Sequence, residues 1–317
     1  MLYSPKKIFI AGASGMIGYN LIDELIKKKY NVSGSYYKNP PRKNKRYIKK
    51  FNFENLNNCL KATKKVDTLF LLTMVSEGVL GIKNKDVNFV IHSLRVNLNL
   101  IEAALSNKVK KIVFLSSSTI YQPLDKPISE KMLNLNLDPY EIYLGIGWYY
   151  RYIEKFLIFL NKRKIIKTKI IRTSAVYGEN DTVNIKKARV IPSLIMRMLK
   201  CKKNQKFNVW GDPDIIRDFV YVGDVTKILI SAMQDKFTNH PVNFSYGKEI
   251  KIKQLAKEIN KQINKKLSLS FDLGKPSSAN YRVLVNSRLL NYTKKKTNLT
   301  SGLKKTIKWY RQRFYEN

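Results

Sequence analysis

The stretch FIAGASGMIG, residues 9–18, sets Gly12, Gly15 and Gly18 between an apolar run and a run of helical period. A tight turn there needs residues without Cβ. Backbone must also approach a ligand's pyrophosphate, and a helix N-terminus offers it free N–H groups and positive dipole. Three glycines in that setting predict a dinucleotide-binding turn, with Gly12, Ser14, Gly15, Met16, Ile17 and Gly18 as the contacting residues. Where a second strand should end, a carboxylate would take the adenosine ribose of NAD. GSYYKNPPRKNKR, residues 34–46, holds none there and offers Lys38 and Arg42 instead, so a 2′-phosphate is accommodated and NADP is favoured over NAD.

Working outward, KKIFIAG reads as a buried strand, and GMIGYNLIDELIKKKY as a helix with Ile17, Leu21, Leu25 and Ile26 on one face. NVSGSYY reads as the second strand. DTLFLLT, KKIVFLSSS and TKIIRTSAVYG are further strands, separated by helical stretches such as LRVNLNLIEAALSN and WYYRYIEKFLIFLNK. Such alternation predicts an α/β chain: a Rossmann-like, doubly wound parallel sheet covered by helices on both faces. Past residue 180 the pattern loosens. The expected division is a dinucleotide-binding domain over 1–180 and a smaller, partly interleaved substrate-binding lobe over 181–317.

At 317 residues the chain can bury a substantial core. No apolar run reaches the roughly 20 residues a membrane span requires, and the start, MLYSPKKIFIAGASG, lacks the segments of a secretory signal. Two cysteines far apart, Cys59 and Cys201, and only two histidines make a metal site unexpected and suit a reducing, cytoplasmic setting. Basic residues number 60 against 23 acidic. The lysines are spread along the whole length, which reads as solvated surface that attracts a small anion rather than as a nucleic-acid site. The densest runs are KNPPRKNKRYIKK and NYTKKKT.

FLSSSTIY, RTSAVYGEND, VIPSLIMRM and WGDPDIIRDFVYVGDV, in that order behind the glycine turn, resemble the nucleotide-sugar epimerase/dehydratases of the extended short-chain dehydrogenase/reductases. Within that family the likeness is greatest to the GDP-fucose synthases, and it runs from Lys7 to about Leu289. The resemblance implies a cofactor of NAD(P) type, a nucleotide-sugar substrate, a homodimer formed by helices near 89–107 and 141–161, and a setting in polysaccharide synthesis. It places the hydroxyl that binds the substrate's oxygen on Ser117. Arg197 and Arg217 would hold the nucleotide diphosphate, with Trp210 beside sugar or base and Arg282 as a further phosphate ligand. Arginine's planar fork suits a diphosphate better than lysine does.

In the family a tyrosine moves the substrate proton, and a lysine one helical turn on lowers its pKa and holds the ribose. IGWYYRYIE, anchored on Gly147, Trp148 and Glu154, puts Ile146 and Tyr150 in those places. Anchoring on Pro139 and Tyr140 gives Tyr140 and Leu144; Tyr143 leads to Gly147. Two tyrosines have lysine at plus four: Tyr3 with Lys7, ahead of the first strand, and Tyr292 with Lys296, in the C-terminal tail. The first frame keeps the distance from Ser117. Tyr143 and Tyr150 are then the candidate proton donors, although Tyr143 also fits plain helix surface. Where the resemblance places a cysteine and a histidine for epimerisation stand Thr119 and Arg189, and a substrate-contacting asparagine is replaced by Ala175. Neither threonine nor a permanently charged arginine shuttles protons near neutral pH. Two readings follow: an enzyme on a nucleotide sugar with a rearranged acid/base set, or a non-catalytic relative that binds cofactor or sugar nucleotide as a partner subunit.

Overall fold

The computed structural model describes residues 5–74, 87–274, 279–292 and 296–315. Seven parallel strands form the central sheet in the order β11-β6-β5-β4-β1-β2-β3. They are β1 (Ile8–Ala11), β2 (Val32–Tyr36), β3 (Ile48–Lys50), β4 (Thr68–Leu71), β5 (Lys111–Ser117), β6 (Lys167–Thr173) and β11 (Val242–Phe244). All four residues of β1 and of β4 are buried, as strands covered on both faces require. After β3 the chain returns to the far side of β1, so β1 and β4 mark the reversal of strand order. Ligands of such sheets bind beyond the carboxyl ends at that point.

Helix α1 (Met16–Lys27) packs on one face with α6 (Val222–Met233). Helices α2 (Leu56–Thr63), α3 (Asn88–Ser106) and α4 (Leu144–Lys162) cover the other. The sheet thus separates two apolar cores, one around Leu21, Ile22 and Leu229, the other around Leu100, Ile153 and Leu157. At 25 cal/mol per Å², burying one such leucine contributes about 1.5–3 kcal/mol.

The later part of the chain adds α5 (Val190–Lys200), α7 (Ile252–Ile263) and α8 (Leu299–Tyr315), which pack together. Its short strands are β8 (Lys206–Trp210) paired with β13 (Ser268–Asp272), and β9 (Ile216–Arg217) between β12 (Ile250–Lys251) and β14 (Tyr281–Arg282).

The expected strand over TKIIRTSAVYG is two strands in two sheets. Ser174 N–H bonds Phe244 O and Ala175 N–H bonds Asp218 O, so the chain changes partners there. β7 (Ala175–Tyr177) leaves the main sheet and pairs with β10 (Phe219–Tyr221). Two edge elements escaped the pattern reading: β3, inside the basic run 38–50, and β11, which joins the sheet from beyond residue 181. Of the second basic run, residues 293–295 lie outside the described residues, as do residues 1–4 at the start. Among the described residues, no helix is long and apolar enough to cross a membrane, and no cluster of metal-ligating side chains occurs.

A buried polar network ties α4 to the sheet. Arg172 of β6 donates to Glu154 from Nε at 3.0 Å and from Nη2 at 2.6 Å. Its Nη1 donates to Tyr121, whose hydroxyl donates to Asn243 of β11. Glu154→Gln keeps the volume but leaves a buried guanidinium uncompensated, and is expected to cost about 3–5 kcal/mol of stability. Urea unfolding of the variant checks this; a loss under 1 kcal/mol would show the pair to be dispensable.

Candidate active site

At the end of β1, Gly12 has φ +87°, and a Cβ on it would stand 2.7 Å from Leu72 O, just past the neighbouring strand β4. A Cβ on Gly18 would stand 2.3 Å from Gly12 O. These two glycines are demanded by the turn itself. Gly15 differs: its Cβ would meet only Gly12 O at an ordinary 3.5 Å, so the missing atom leaves open space above the helix. Gly15 is also the N-cap of α1 and offers no side-chain cap, nor is there an acid in the first turn. The first-turn N–H groups therefore stay open to an anion, and a pyrophosphate fits this cradle. Ser35 of β2 steadies the turn, accepting from Gly12 N–H through Oγ at 3.1 Å and from Ala13 N–H through its carbonyl at 2.8 Å.

A cleft of about 1600 Å³ opens over this turn. Ser14, Met16, Ile17, Lys38 and Arg42 all line it. Lys43 of the same loop is committed to Asp23, whereas Lys38 and Arg42 have no carboxylate partner among the described residues. Arg42 rests over the Trp309 ring of α8 instead.

The middle of the cleft is formed by the end of β5 and the start of α4. Ser117 Oγ accepts Thr119 N–H at 3.2 Å, so its own hydrogen stays available. Ser116 Oγ and Thr119 Oγ1 are buried without hydrogen-bond partners among the described residues. Gly147 lets α4 approach: a Cβ there would lie 2.5 Å from Pro139 Cγ and 2.8 Å from Thr119 O. Ile146, Tyr149 and Tyr150 consequently face the cleft. Tyr140 does not line it; its hydroxyl bonds Leu124 and Tyr281 carbonyls, and Leu144 is exposed. The alternative frame on Tyr140 and Leu144 therefore fails on geometry. So does a site at Tyr292 and Lys296, since the lysine caps Ser245 O and Tyr246 O.

Tyr143 is not helix surface. It sits in the turn ahead of α4, is 5% exposed, and lies in the cleft wall with the Arg282 guanidinium 4.7 Å from its ring centre. Tyr150 is also buried, and its hydroxyl makes no hydrogen bond among the described residues. Burial pushes the phenol pKa up, while the charge of Arg189 pulls it down and that of Glu154 raises it. It remains a neutral O–H, able to donate.

The far end is cationic. Arg217 on β9 is 4% exposed. It donates to Ile216 O at 2.7 Å and to Ala279 O. Burial, and then the neighbouring Arg282, depress its pKa to about 9. Arg282 has a buried Nη1 without a hydrogen-bond partner among the described residues. Arg197 lies 4.0 Å from the Trp210 ring centre and donates to Asn208 O. Arg189 stands nearer the glycine turn, paired with Asp181 at 3.1 Å and 3.9 Å from Met16 Sδ.

Sequence reasoning passed over three polar residues here. Ser35 was signalled by Gly34, a glycine inside a strand whose Cβ would stand 2.4 Å from Ala13 Cβ. Tyr149 and Asn97 carried no signal of their own, because only packing brings α3 beside α4.

The model of the NAD dependent epimerase/dehydratase family matches residues 8–245. A GDP-L-fucose synthase of Sinorhizobium fredii is 25% identical, covering 96% of this chain and 95% of its own. Among solved structures, the UDP-N-acetylglucosamine 4-epimerase of Methanobrevibacter ruminantium, in complex with UDP-N-acetylmuramic acid, superposes with a TM-score of 0.84 at 21% identity, covering 98% of this chain and 100% of its own. A GDP-L-fucose synthetase of Naegleria fowleri bound to NADP superposes with a TM-score of 0.80 at 18% identity, covering 99% and 97%. At these identities the structures establish a shared fold.

Proposed function

This chain belongs to the NAD dependent epimerase/dehydratase family, and from that premise we propose that it is an NADP-preferring epimerase or ketoreductase acting on a nucleotide-activated sugar, a GDP-sugar foremost. The observation that carries the reading is the cleft's polarity. One end is an uncapped helix behind a glycine turn, and the other is the buried Arg217 and Arg282 pair with an unsatisfied Nη1. Two diphosphates, one at each end, answer both features.

When bound, the nicotinamide supplies or accepts hydride at the sugar carbon. The chain's part is to hold and protonate. Gly12, Ser14, Gly15, Met16, Ile17 and Gly18 receive the dinucleotide, and Lys38 and Arg42 its 2′-phosphate. Ser117 donates to the reacting oxygen. Tyr150 gives that oxygen its proton, or takes it in the reverse direction. Arg217 and Arg282 hold the sugar nucleotide's diphosphate, Arg197 and Trp210 flank its base or sugar, and Tyr143 steadies Arg282. Thr119 and Arg189 line the sugar's place without shuttling protons, which confines the chemistry to one carbon. The non-catalytic reading draws support from no feature of the cleft. The proposal includes a cofactor-binding domain over 1–180 and a smaller, partly interleaved substrate lobe over 181–317, with β11 of that lobe completing the main sheet.

The test is turnover of NADPH with a panel of GDP-, UDP-, dTDP- and CDP-keto sugars. Oxidation with a GDP-keto sugar supports the proposal; a saturable ternary complex without oxidation supports the non-catalytic reading. Arg42→Ala is expected to weaken NADPH binding about 10-fold and leave NADH unchanged. Equal loss for both would place Arg42 away from the 2′-phosphate.

A homodimer in the cytoplasm extends the proposal. Ile91 of α3 and Leu144, Trp148, Tyr152 and Phe159 of α4 are exposed, an apolar face on two adjacent helices. Sedimentation equilibrium at micromolar concentration should return twice the chain mass of 36.9 kDa; the single mass counts against the dimer.

A further inference from the structure

Tyr149 is 2% exposed, yet it lines the cleft beside Thr73. Asn97 Nδ2 lies 2.9 Å from its hydroxyl oxygen. The same amide nitrogen reaches Ser93 O at 2.8 Å and Thr73 O at 3.0 Å. Carbonyls only accept, so the amide's nitrogen, and not its oxygen, must face this side. Asn97 Oδ1 is turned the other way and accepts from Thr73 Oγ1 at 3.0 Å. The amide's two hydrogens are shared among these three acceptors, and its nitrogen cannot accept, so the Tyr149 hydrogen has no acceptor among the described residues.

The location of this donor is fixed by its neighbours. Thr73 follows Leu72, whose carbonyl presses on Gly12, so the relay Thr73–Asn97–Tyr149 runs from the dinucleotide turn to α4. Tyr150 stands where the family's frame expects a lysine, and no hydrogen bond links it to Asn97. Its ring meets that of Tyr149 edge to face, with centroids 4.9 Å apart. The cofactor side of this wall thus presents the Tyr149 hydroxyl, while the two lysines of α4, Lys155 and Lys162, are exposed and do not line the cleft.

We propose that Tyr149, aimed by Asn97 and Thr73, donates a hydrogen bond to a hydroxyl of the cofactor's nicotinamide-side ribose, replacing the absent lysine as the ribose-holding group. The inference rests on the reading of the cleft as a dinucleotide site. Asn97 and Thr73 are positioning residues, since they act through Tyr149. The division of labour is then between neighbours: Tyr149 holds cofactor, and Tyr150 serves the substrate oxygen.

Calorimetric titration with NADPH tests it on the wild type, Tyr149→Phe, Thr73→Val and the double variant. Tyr149→Phe keeps the ring and is expected to weaken NADPH about 3- to 10-fold. Thr73→Val should weaken it less, and add nothing on top of Tyr149→Phe, a coupling that a merely structural role would not produce. Unchanged affinity in Tyr149→Phe, with the wild type binding, overturns the role of Tyr149 and leaves the cleft reading intact. Should Tyr149→Phe not fold, Thr73→Val decides: wild-type affinity there overturns the relay. A wild type that binds no NADPH overturns the cleft reading and this inference with it.

Discussion

Replacing Tyr150 by phenylalanine is expected to lower kcat by about 10²- to 10⁴-fold while leaving the substrate's affinity within about threefold. The change removes one oxygen from a buried ring packed against Phe114 and Tyr149, so the helix and its core contacts stay as they are. That oxygen has no protein partner among the described residues, so its loss strands none of them. The phenol is held neutral by burial, which suits an acid that gives its proton to an oxygen as charge develops there. Without a lysine beside it, the group lacks the usual means of lowering its pKa, and the rate should therefore rise toward alkaline pH in the direction that needs a base. Steady-state kinetics on the two proteins decides the point. Equal kcat would move the proton donor to another hydroxyl, with Tyr143→Phe and Ser117→Ala as the next variants to measure.

Arg217→Leu should weaken the nucleotide sugar about 10- to 100-fold, the cost of charge-assisted bonds to a phosphate. A cation buried beside Arg282 is already penalised by desolvation, which lowers its pKa without removing its charge near neutral pH. A diphosphate relieves that penalty. Calorimetric titration of the nucleotide sugar into the wild type and the variant measures the loss; equal affinity would separate Arg217 from the diphosphate.

Legibility in the sequence followed the strength of the physical demand. Gly12 and Gly18 are fixed by backbone that would collide with any Cβ, and a demand of that kind is visible as a letter at a spacing. The fully buried strands β1 and β4 show for the same reason, as unbroken apolar runs. β3 and β11 are three residues each and hide among lysines and loop residues, because their place is set by pairing partners far along the chain. The split of TKIIRTSAVYG is of that type too: the chain keeps β11 as its partner through Ser174 and turns to Asp218 at Ala175, a choice no local pattern records.

At the site, the frame through Ile146 and Tyr150 could be chosen by anchoring on Gly147, and the structure gives the reason, since Gly147 packs against Pro139 and Thr119 O. Tyr149 could not be separated from Tyr150 by spacing. Both lie within one turn of Ile146, and only the contact of α3 with α4 shows that Asn97 takes hold of one of them. By spacing, one turn before Ile146, Tyr143 also fits plain helix surface; in the structure it is buried, with Arg282, more than a hundred residues later, against its ring. Residues that act across such distances leave no trace in a local pattern.

The account turns on a single cleft taking a dinucleotide at its glycine end and a nucleotide sugar at its arginine end. Calorimetric titration of cofactor-stripped protein with NADPH and NADH, followed by a GDP-sugar titrated into the cofactor complex, measures both halves. Micromolar binding of NADPH ahead of NADH, then saturable binding of the GDP-sugar on that complex, is the predicted result. Failure of both cofactors to bind would reduce the glycine turn to architecture and contradict the account.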